Sequence, residues 1–189
     1  NAKRKAELRR ELVRTNLYCA DEPERAITYL EIIAEEEKPA PNDEDENSDA
    51  EAADSEEAPF DPELFFLWED ALLATGAWER YEKLLRDALA AQSEIGEMAH
   101  YILTRMWILF RCILPDADQA DVLWETLSAH DYLDDELVDY GIERAERLDS
   151  KEDQMDILNL ALGREDFDSP YEPFYRLMLV DLAHYEYND

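Results

Sequence analysis

Apolar residues recur along most of the chain at spacings of three and four, which is the period of an amphipathic helix. No stretch alternates apolar and polar residues with the period of two that is typical of a half-buried strand. We therefore predict helices near residues 3–18, 22–37, 62–75, 78–91, 94–113, 117–129, 134–148, 151–162 and 170–186. Because the joining segments are mostly short, neighbouring helices should form antiparallel hairpins, and the predicted fold class is all-α.

Capping residues mark several of these boundaries. Asp61-Pro62 combines an N-cap carboxylate with proline at the first helical position, where no N–H is needed. Ser169-Pro170 repeats this device, and Ser150 and Ser93 indicate two further helix starts. Gly76 and Gly163 follow apolar runs, so each is predicted to end a helix in the left-handed conformation.

A recurring segment consists of a turn residue, a helix with an apolar pair, and small or apolar residues at its end. One copy is Gly76-Ala-Trp78-Glu-Arg-Tyr81-Glu-Lys-Leu84-Leu85-Arg-Asp-Ala88-Leu89, and the same template fits the segment that begins at Asp21. It fits the segments that begin at Pro115 and Asp149 more loosely. Successive copies are offset by 55, 39 and 34 residues. Removing an acidic insert of about 21 residues from the first interval leaves about 34, the period of a tetratricopeptide (TPR) repeat. The pattern resembles the second half of such a repeat, over residues 8 to 163.

The resemblance implies antiparallel helical hairpins stacked as a TPR-like α-solenoid, in which neighbouring hairpins bury a continuous core. The first helices depart from the family pattern, because larger residues stand where a small residue is expected: Arg14, Glu69, Ile108 and Ile142. A HEAT-like or half-a-TPR array and a non-repeat helical bundle therefore remain open. The anchors expected in the core are Leu72, Trp78, Leu85, Leu89, Ile102, Met106, Trp107, Phe110, Trp124 and Leu127.

The composition limits the partners that the protein can bind. In 189 residues, 18 Lys and Arg face 49 Asp and Glu, giving a formal net charge of −31. This charge disfavours direct binding of nucleic acid, since phosphate contacts need clustered Lys and Arg. A hydrophobic content of 46% argues against a wholly disordered chain, and two cysteines are too few for a disulfide scaffold or zinc ribbon.

The distribution of charge and apolar residues divides the chain into three parts. Residues 1–37 are predicted to form a first hairpin whose N-terminal helix is basic and docks on the acidic remainder of the molecule. Residues 38–60 read as an acidic disordered insert, in which Ser48 and Ser55 are either phosphorylation sites or part of a plain linker. Residues 61–189 hold the remaining repeats and a C-terminal capping helix.

Sequence signatures of catalysis are lacking. The chain has no phosphate-binding glycine loop, nucleophile elbow, His-Glu-x-x-His or Cys-x-x-Cys motif. We expect a protein that is not an enzyme and that needs no cofactor or metal. No signal peptide or bilayer-spanning segment is recognisable, so we expect no membrane contacts. The lone cysteines indicate a reducing compartment, and we expect an intracellular protein of the cytoplasm or nucleus.

The TPR resemblance implies that the first helix of each hairpin lines a concave groove. In the fourth repeat this places Glu136, Asp139, Glu143 and Glu146 along one helix face, at spacings of three and four residues. In the second repeat the corresponding residues are Glu63, Phe66 and Asp70, whereas the third repeat presents Arg105. The alternative is that these acids form a solvated convex face.

An anionic groove would attract a segment rich in lysine and arginine. The leading hypothesis is therefore a non-enzymatic interaction or chaperone-type scaffold for a basic protein or peptide, such as a ribosomal-protein extension, a histone tail or a localisation signal. Two other hypotheses stay open. One is a DNA mimic that occupies a DNA-binding protein, and the other is an ordinary helical protein whose acidic surface is adapted to salt.

Overall fold

The computed structural model describes residues 2–37, 60–130, 133–164, 167 and 169–186, and the parts of the chain that it describes form nine α-helices and no strand. The predicted all-α class is thus confirmed. The chain divides into two compact units, Asn1–Ile95 and Gly96–Asp189. Residues 38–59 of the acidic insert, with Ser48 and Ser55, lie outside the described residues.

Unit 1 contains four helices, α1 (Ala2–Tyr18), α2 (Pro23–Glu37), α3 (Pro62–Thr75) and α4 (Trp78–Ala90). Helix α1 packs on α2, α2 on α3, and α3 on α4, and α1 also contacts α3. The core of the unit is built from one apolar face of each helix, including Val13, Leu30, Leu72 and Leu85, all at most 1% exposed. This packing brings the basic helix α1 next to the polar surface of α3.

Unit 2 contains the other five helices, α5 (Glu97–Ile108), α6 (Ala117–Ala129), α7 (Asp135–Arg147), α8 (Lys151–Leu162) and α9 (Glu172–Glu186). Each of these helices packs on the next. The apolar run predicted as one helix over 94–113 is interrupted, because α5 passes into a π-helical turn at Leu109–Ile113. Such turns widen the helix locally and redirect the side chains that follow.

Side-chain caps begin most of the helices whose starts the sequence marked. Asp61 accepts hydrogen bonds from the backbone N–H groups of Glu63 and Leu64, and Ser150 accepts one from that of Asp153. The predicted start at Ser93 is wrong, because α5 begins at Glu97 after Gly96, which is extended and provides no side-chain cap. Glycine has low helix propensity, so the helix does not extend back through it.

Left-handed residues end three helices at aligned positions of the sequence repeat. Gly76 has a φ angle of 65°, and Asp21 and Asp149 have φ angles of 53° and 54°. The residue after each one donates its N–H back to the preceding helix, from Glu22 to the Asn16 carbonyl, from Ala77 to Leu72 and from Ser150 to Ala145. Gly163 does not follow the prediction, because its φ of −81° is right-handed. There the helix ends instead through a hydrogen bond from the N–H of Arg164 to the Ala161 carbonyl.

The predicted core anchors are mostly buried. Eight of the ten are buried, whereas Trp78 and Leu89 are only half-buried. Trp78 is the first residue of α4 and Leu89 is in its last turn, so the two half-buried residues lie at the ends of this helix. In α9, Tyr175 is buried, but Phe174, Leu177 and Val180 are each more than half exposed, as is Tyr171 just before the helix.

The crossing of α6, α7 and α8 depends on a small residue. A Cβ added to Gly141 would lie 2.6 Å from Cζ2 of Trp124 and 3.1 Å from Cδ1 of Ile157. Glycine therefore permits the indole to lie against α7, and Trp124 Nε1 donates to the Leu137 carbonyl at 2.8 Å. The TPR resemblance predicts the larger Ile142 at this crossing, one residue away. In α3, by contrast, Glu69 is buried and accepts a hydrogen bond from Tyr81 at 2.6 Å.

Within the part of the chain that the structure describes, none of the helices combines the length and the apolar character needed to cross a membrane.

Candidate functional site

Four carboxylates follow the outer face of α7. The helix begins at Asp134, whose side chain accepts from the Leu137 N–H at 2.9 Å, and its inner face is buried through apolar residues such as Val138 and Ala145. The period of the helix leaves the opposite face in solvent. That face carries the four exposed residues of the acidic row, as we call it: Glu136, Asp139, Glu143 and Glu146.

The acidic row is only partly paired within unit 2. Asp139 accepts a hydrogen bond from the buried Tyr175 of α9 at 2.9 Å, and Glu143 lies 3.3 Å from the Arg111 guanidinium. Burial first, and then this hydrogen bond, raises the pKa of the Tyr175 hydroxyl above its ordinary value. Glu136 and Glu146 have no hydrogen-bond or ion-pair partner among the described residues.

An open cavity of about 680 Å³ adjoins the C-terminal half of the row. Glu143 and Glu146 contribute to its wall from α7, and Asp116 does so from the start of α6. Phe110 and Tyr140 provide aromatic surface in the same cavity. The row is therefore continuous with a concave surface that combines carboxylates and apolar rings.

Two arginines flank Tyr140 in this cavity. The Arg111 guanidinium lies 5.1 Å from the ring centroid and that of Arg147 lies 5.8 Å from it, both at cation–π distance. Asp121 of α6 accepts hydrogen bonds from the Tyr140 hydroxyl at 2.7 Å and from Arg147 at 3.0 Å. Burial first, and then the bond to Asp121, raises the pKa of Tyr140. The cavity is therefore not uniformly anionic.

Sequence reasoning missed this arginine–tyrosine cluster. The spacing of Tyr140 and Arg147 on one helix, seven residues apart, is a usable signal for a shared face. Arg111 and Asp121 come from other elements, and no local pattern links them to α7. Arg105, predicted to lie in the groove of the third repeat, donates to the hydroxyl of Tyr101 at 3.0 Å.

The three candidates of unit 1 share the exposed face of α3. Phe66 is 39% exposed and packs edge-on against Phe65. Glu63 pairs with two arginines of α1, with Arg10 at 3.1 Å and with Arg14. Glu63 therefore differs from Glu136 and Glu146 of the acidic row in already having cationic partners.

Asp70 is also contacted by α1. It accepts a hydrogen bond from Tyr18 at 2.5 Å. This bond first, with further contributions from burial and from the Asp70 charge, raises the pKa of Tyr18 to about 12. Both carboxylates of the α3 candidate face thus interact with the N-terminal helix.

Further ion pairs hold α1 on unit 1. Lys5 lies 2.8 Å from Glu36 of α2, and Arg9 pairs with the same carboxylate. Arg10 additionally reaches Asp61 at 2.6 Å. The expectation that the basic helix docks on the acidic part of the molecule is confirmed for unit 1.

No residues in the described parts of the chain assemble a metal or disulfide site. Groups of three or more His, Cys, Asp or Glu side chains suited to a metal ion do not occur there. Cys19 and Cys112 are both exposed free thiols. The candidate site in these parts of the chain is therefore the acidic row, whose solvent-facing carboxylates are only partly paired.

Comparison of the chain with protein-family models, with curated proteins and with solved structures finds no match.

Proposed function

We propose that the protein is a non-enzymatic interaction module that binds a lysine- and arginine-rich protein segment through the acidic row of α7. The observation that carries this proposal is the exposure of Glu136, Asp139, Glu143 and Glu146 on one face of one helix. Two of them lack partners in the described part of unit 2, so they are available to an external cation. Like charges at this spacing repel each other, and a bound basic segment relieves that repulsion.

The charge of unit 2 supports the same conclusion. Residues 96–189 carry 23 Asp and Glu against seven Lys and Arg, a net charge of −16. A field of this sign speeds the encounter with a basic partner, and short charge-assisted contacts then fix its register. The cavity beside the row adds Phe110 and Tyr140, on which the alkyl parts of lysine or arginine side chains can pack.

Unit 1 provides a precedent for this kind of contact within the same chain. There a basic helix lies beside acidic α3, with Arg10 and Arg14 at the carboxylate of Glu63. Glu63, Phe66 and Asp70 form a second candidate surface of the same type, at which α1 already supplies two arginines and a tyrosine hydroxyl. In our proposal, α7 is accordingly the primary site for an external segment.

We also propose that the helical hairpins are divergent TPR-like repeats. The support is the left-handed residue at three aligned turn positions, Asp21, Gly76 and Asp149. At the remaining aligned position stands Pro115, whose ring keeps φ negative, and a π-helical turn precedes it. Under this proposal α7 is the groove-lining first helix of its repeat.

The clients that fit are intracellular proteins with exposed basic segments, of the ribosomal-protein, histone or localisation-signal type. The chemistry that recognises them is a row of carboxylates that selects density of positive charge more than a particular sequence. We accordingly propose that the protein acts in the cytoplasm or nucleus.

The test compares binding of a fluorescein-labelled oligolysine peptide by fluorescence anisotropy at low and raised salt. A row variant replaces the four carboxylates by amides: Glu136→Gln, Asp139→Asn, Glu143→Gln and Glu146→Gln. We expect this variant to bind at least about tenfold more weakly than the unaltered protein, a loss of about 1.4 kcal/mol.

A matched control removes the same number of charges from other exposed sites of unit 2. It carries Glu97→Gln, Asp118→Asn, Glu152→Gln and Asp181→Asn, all at exposed residues outside the row. Because the two variants have the same net charge, general attraction lowers the affinity of both equally. Equal affinities of the row variant and the control would refute the proposed site.

A further inference from the structure

A second, smaller pocket opens between α6, α7 and α8, within unit 2. Its volume is about 210 Å³, and its apolar wall consists of Trp124, Ile157 and Leu160. Two carboxylates of α8, Asp153 and Asp156, line the same pocket. The pocket thus joins an apolar surface of limited size to a negatively charged margin.

The spacing on α8 explains why these groups converge. Asp153, Asp156 and Leu160 follow one another at steps of three and four residues, with Ile157 beside them, so one face of the helix presents all four. Trp124 faces them from α6, in the position that Gly141 permits. Because its indole N–H is already bonded to the Leu137 carbonyl, the ring offers the pocket apolar surface alone.

The pocket carries an excess of negative charge, because among the described residues its arginine is paired and its two aspartates are not. Arg144 is a wall residue, but its guanidinium lies 2.5 Å from Glu125 and 3.4 Å from Asp121, and it covers the Trp124 ring at 5.4 Å. Asp153 and Asp156 are exposed and have no ion-pair partner in the described part of unit 2. Two carboxylates therefore neutralise the arginine, while the two on α8 remain uncompensated.

We propose that this pocket receives one lysine side chain of a partner protein. The alkyl chain would pack on Trp124, Ile157 and Leu160, and the ammonium group would bind the carboxylates of Asp153 and Asp156. Lysine suits this site because it buries its stem and keeps a compact charged head at the polar margin. Arginine gains most by stacking on an aromatic ring, and Arg144 already stacks on Trp124. The site is separate from the acidic row and does not depend on it.

The test is an NMR titration with N-acetyl-lysine N′-methylamide, followed at the Trp124 indole N–H and the Ile157 methyl groups. Its matched probe is N-acetyl-norleucine N′-methylamide, which keeps the alkyl chain and lacks the ammonium group. We expect saturable shifts with the lysine derivative and at least about tenfold weaker binding of the norleucine derivative.

The variant Asp153→Asn/Asp156→Asn should lose the shifts, and the control Asp118→Asn/Glu152→Gln should keep them. Leu160→Ser, at a residue that is 41% exposed, removes part of the apolar wall without touching the core and should weaken binding. Equal binding of the two probes, shifts that persist in the double Asp variant, or no shift with the lysine derivative would each overturn the proposal. The row variant described above should leave these shifts intact, so the two proposals can fail independently.

Discussion

The acidic helices of units 1 and 2 differ in the cationic partners of their exposed carboxylates. In unit 1, the exposed carboxylates of α3 are met by α1, whose Arg10 and Arg14 reach Glu63. In unit 2, the acidic row of α7 receives one arginine, Arg111, and keeps Glu136 and Glu146 free among the described residues. Sequence composition makes the two halves look alike, since their net charges are −15 and −16. The difference lies in which carboxylates have a cation within reach, and it is this difference that favours α7 as the binding surface.

The two units also differ in how their helices cross. Unit 1 buries Glu69 of α3 against the hydroxyl of Tyr81, which satisfies a polar group inside the hairpin. Unit 2 instead places Gly141 beneath the Trp124 ring, which permits close apolar contact. A hydrogen bond can adapt to a small shift of the helices, whereas a ring against a helix backbone cannot. The crossing in unit 2 should therefore tolerate less change.

The largest expected effect comes from Gly141→Ala. The added Cβ would lie 2.6 Å from the Trp124 ring, an overlap that costs about 1–3 kcal/mol. Because the ring is held by its hydrogen bond to the Leu137 carbonyl, we expect the upper end of this cost, about 3 kcal/mol. Alanine contributes about 1 kcal/mol of helix propensity in the opposite direction, so the net loss of unfolding free energy should be about 2 kcal/mol. Urea denaturation monitored by circular dichroism measures this loss. Gly96→Ala is the control, because nothing lies within 4 Å of a Cβ there. Unchanged stability of the Gly141 variant would contradict the close crossing.

An intermediate effect is expected at the two tyrosines that donate to aspartates. Tyr175 is 1% exposed, so Tyr175→Phe should lower the unfolding free energy by about 0.5–1.5 kcal/mol through its lost hydrogen bond to Asp139. Tyr18 is 60% exposed, so Tyr18→Phe should cost no more than about 0.5 kcal/mol after solvent screening. Denaturation of both variants checks this order, and a larger loss for Tyr18→Phe would reverse it.

The raised pKa values of the same tyrosines predict how the stability of the protein changes at alkaline pH. Folding raises the pKa of Tyr18 from 10.0 to about 12, and it raises that of Tyr175 in the same direction. A raised folded-state pKa means that the stabilisation is complete below the unfolded value. For Tyr18 it is then lost as the pH increases from 10 towards 12. Denaturation across this range should show a smaller decrease for Tyr18→Phe than for the unaltered protein.

The smallest effect tests the comparison of the two units directly. Glu63→Gln removes one carboxylate partner of both Arg10 and Arg14 and should lower the unfolding free energy by about 0.2–1 kcal/mol. Glu146→Gln relieves repulsion in the acidic row and removes a negative charge from the last turn of α7, so it should leave stability unchanged or raise it by a few tenths of a kcal/mol. Denaturation at low salt measures both values, and raised salt should reduce the difference between the two variants. A loss of stability in the Glu146 variant equal to that in the Glu63 variant would mean that α7 has internal cation partners too.

Helices and their boundaries could be predicted because their determinants are local. The periodic apolar residues, the Asp61 cap and the left-handed Gly76 each act within a few residues of their own position. The errors arose where local signals compete, as at Gly96, which ends the backward extension of α5, and at the π-helical turn Leu109–Ile113. The four residues of the acidic row share a face because helical spacing alone fixes that relation.

Tertiary packing determines which charges meet across helices. The contact of Arg10 with Glu63 joins residues 53 positions apart, and the contact of Arg111 with Glu143 joins residues 32 apart. Neither follows from spacing, because an ion pair forms only where packing brings two flexible side chains within a few ångströms. Local sequence patterns account for the helices, for their amphipathic faces and for the acidity of the chain. The packing of α1 on α2 and α3 in unit 1, and the approach of Arg111 to Glu143 in unit 2, determined which of the exposed carboxylates have a cationic partner.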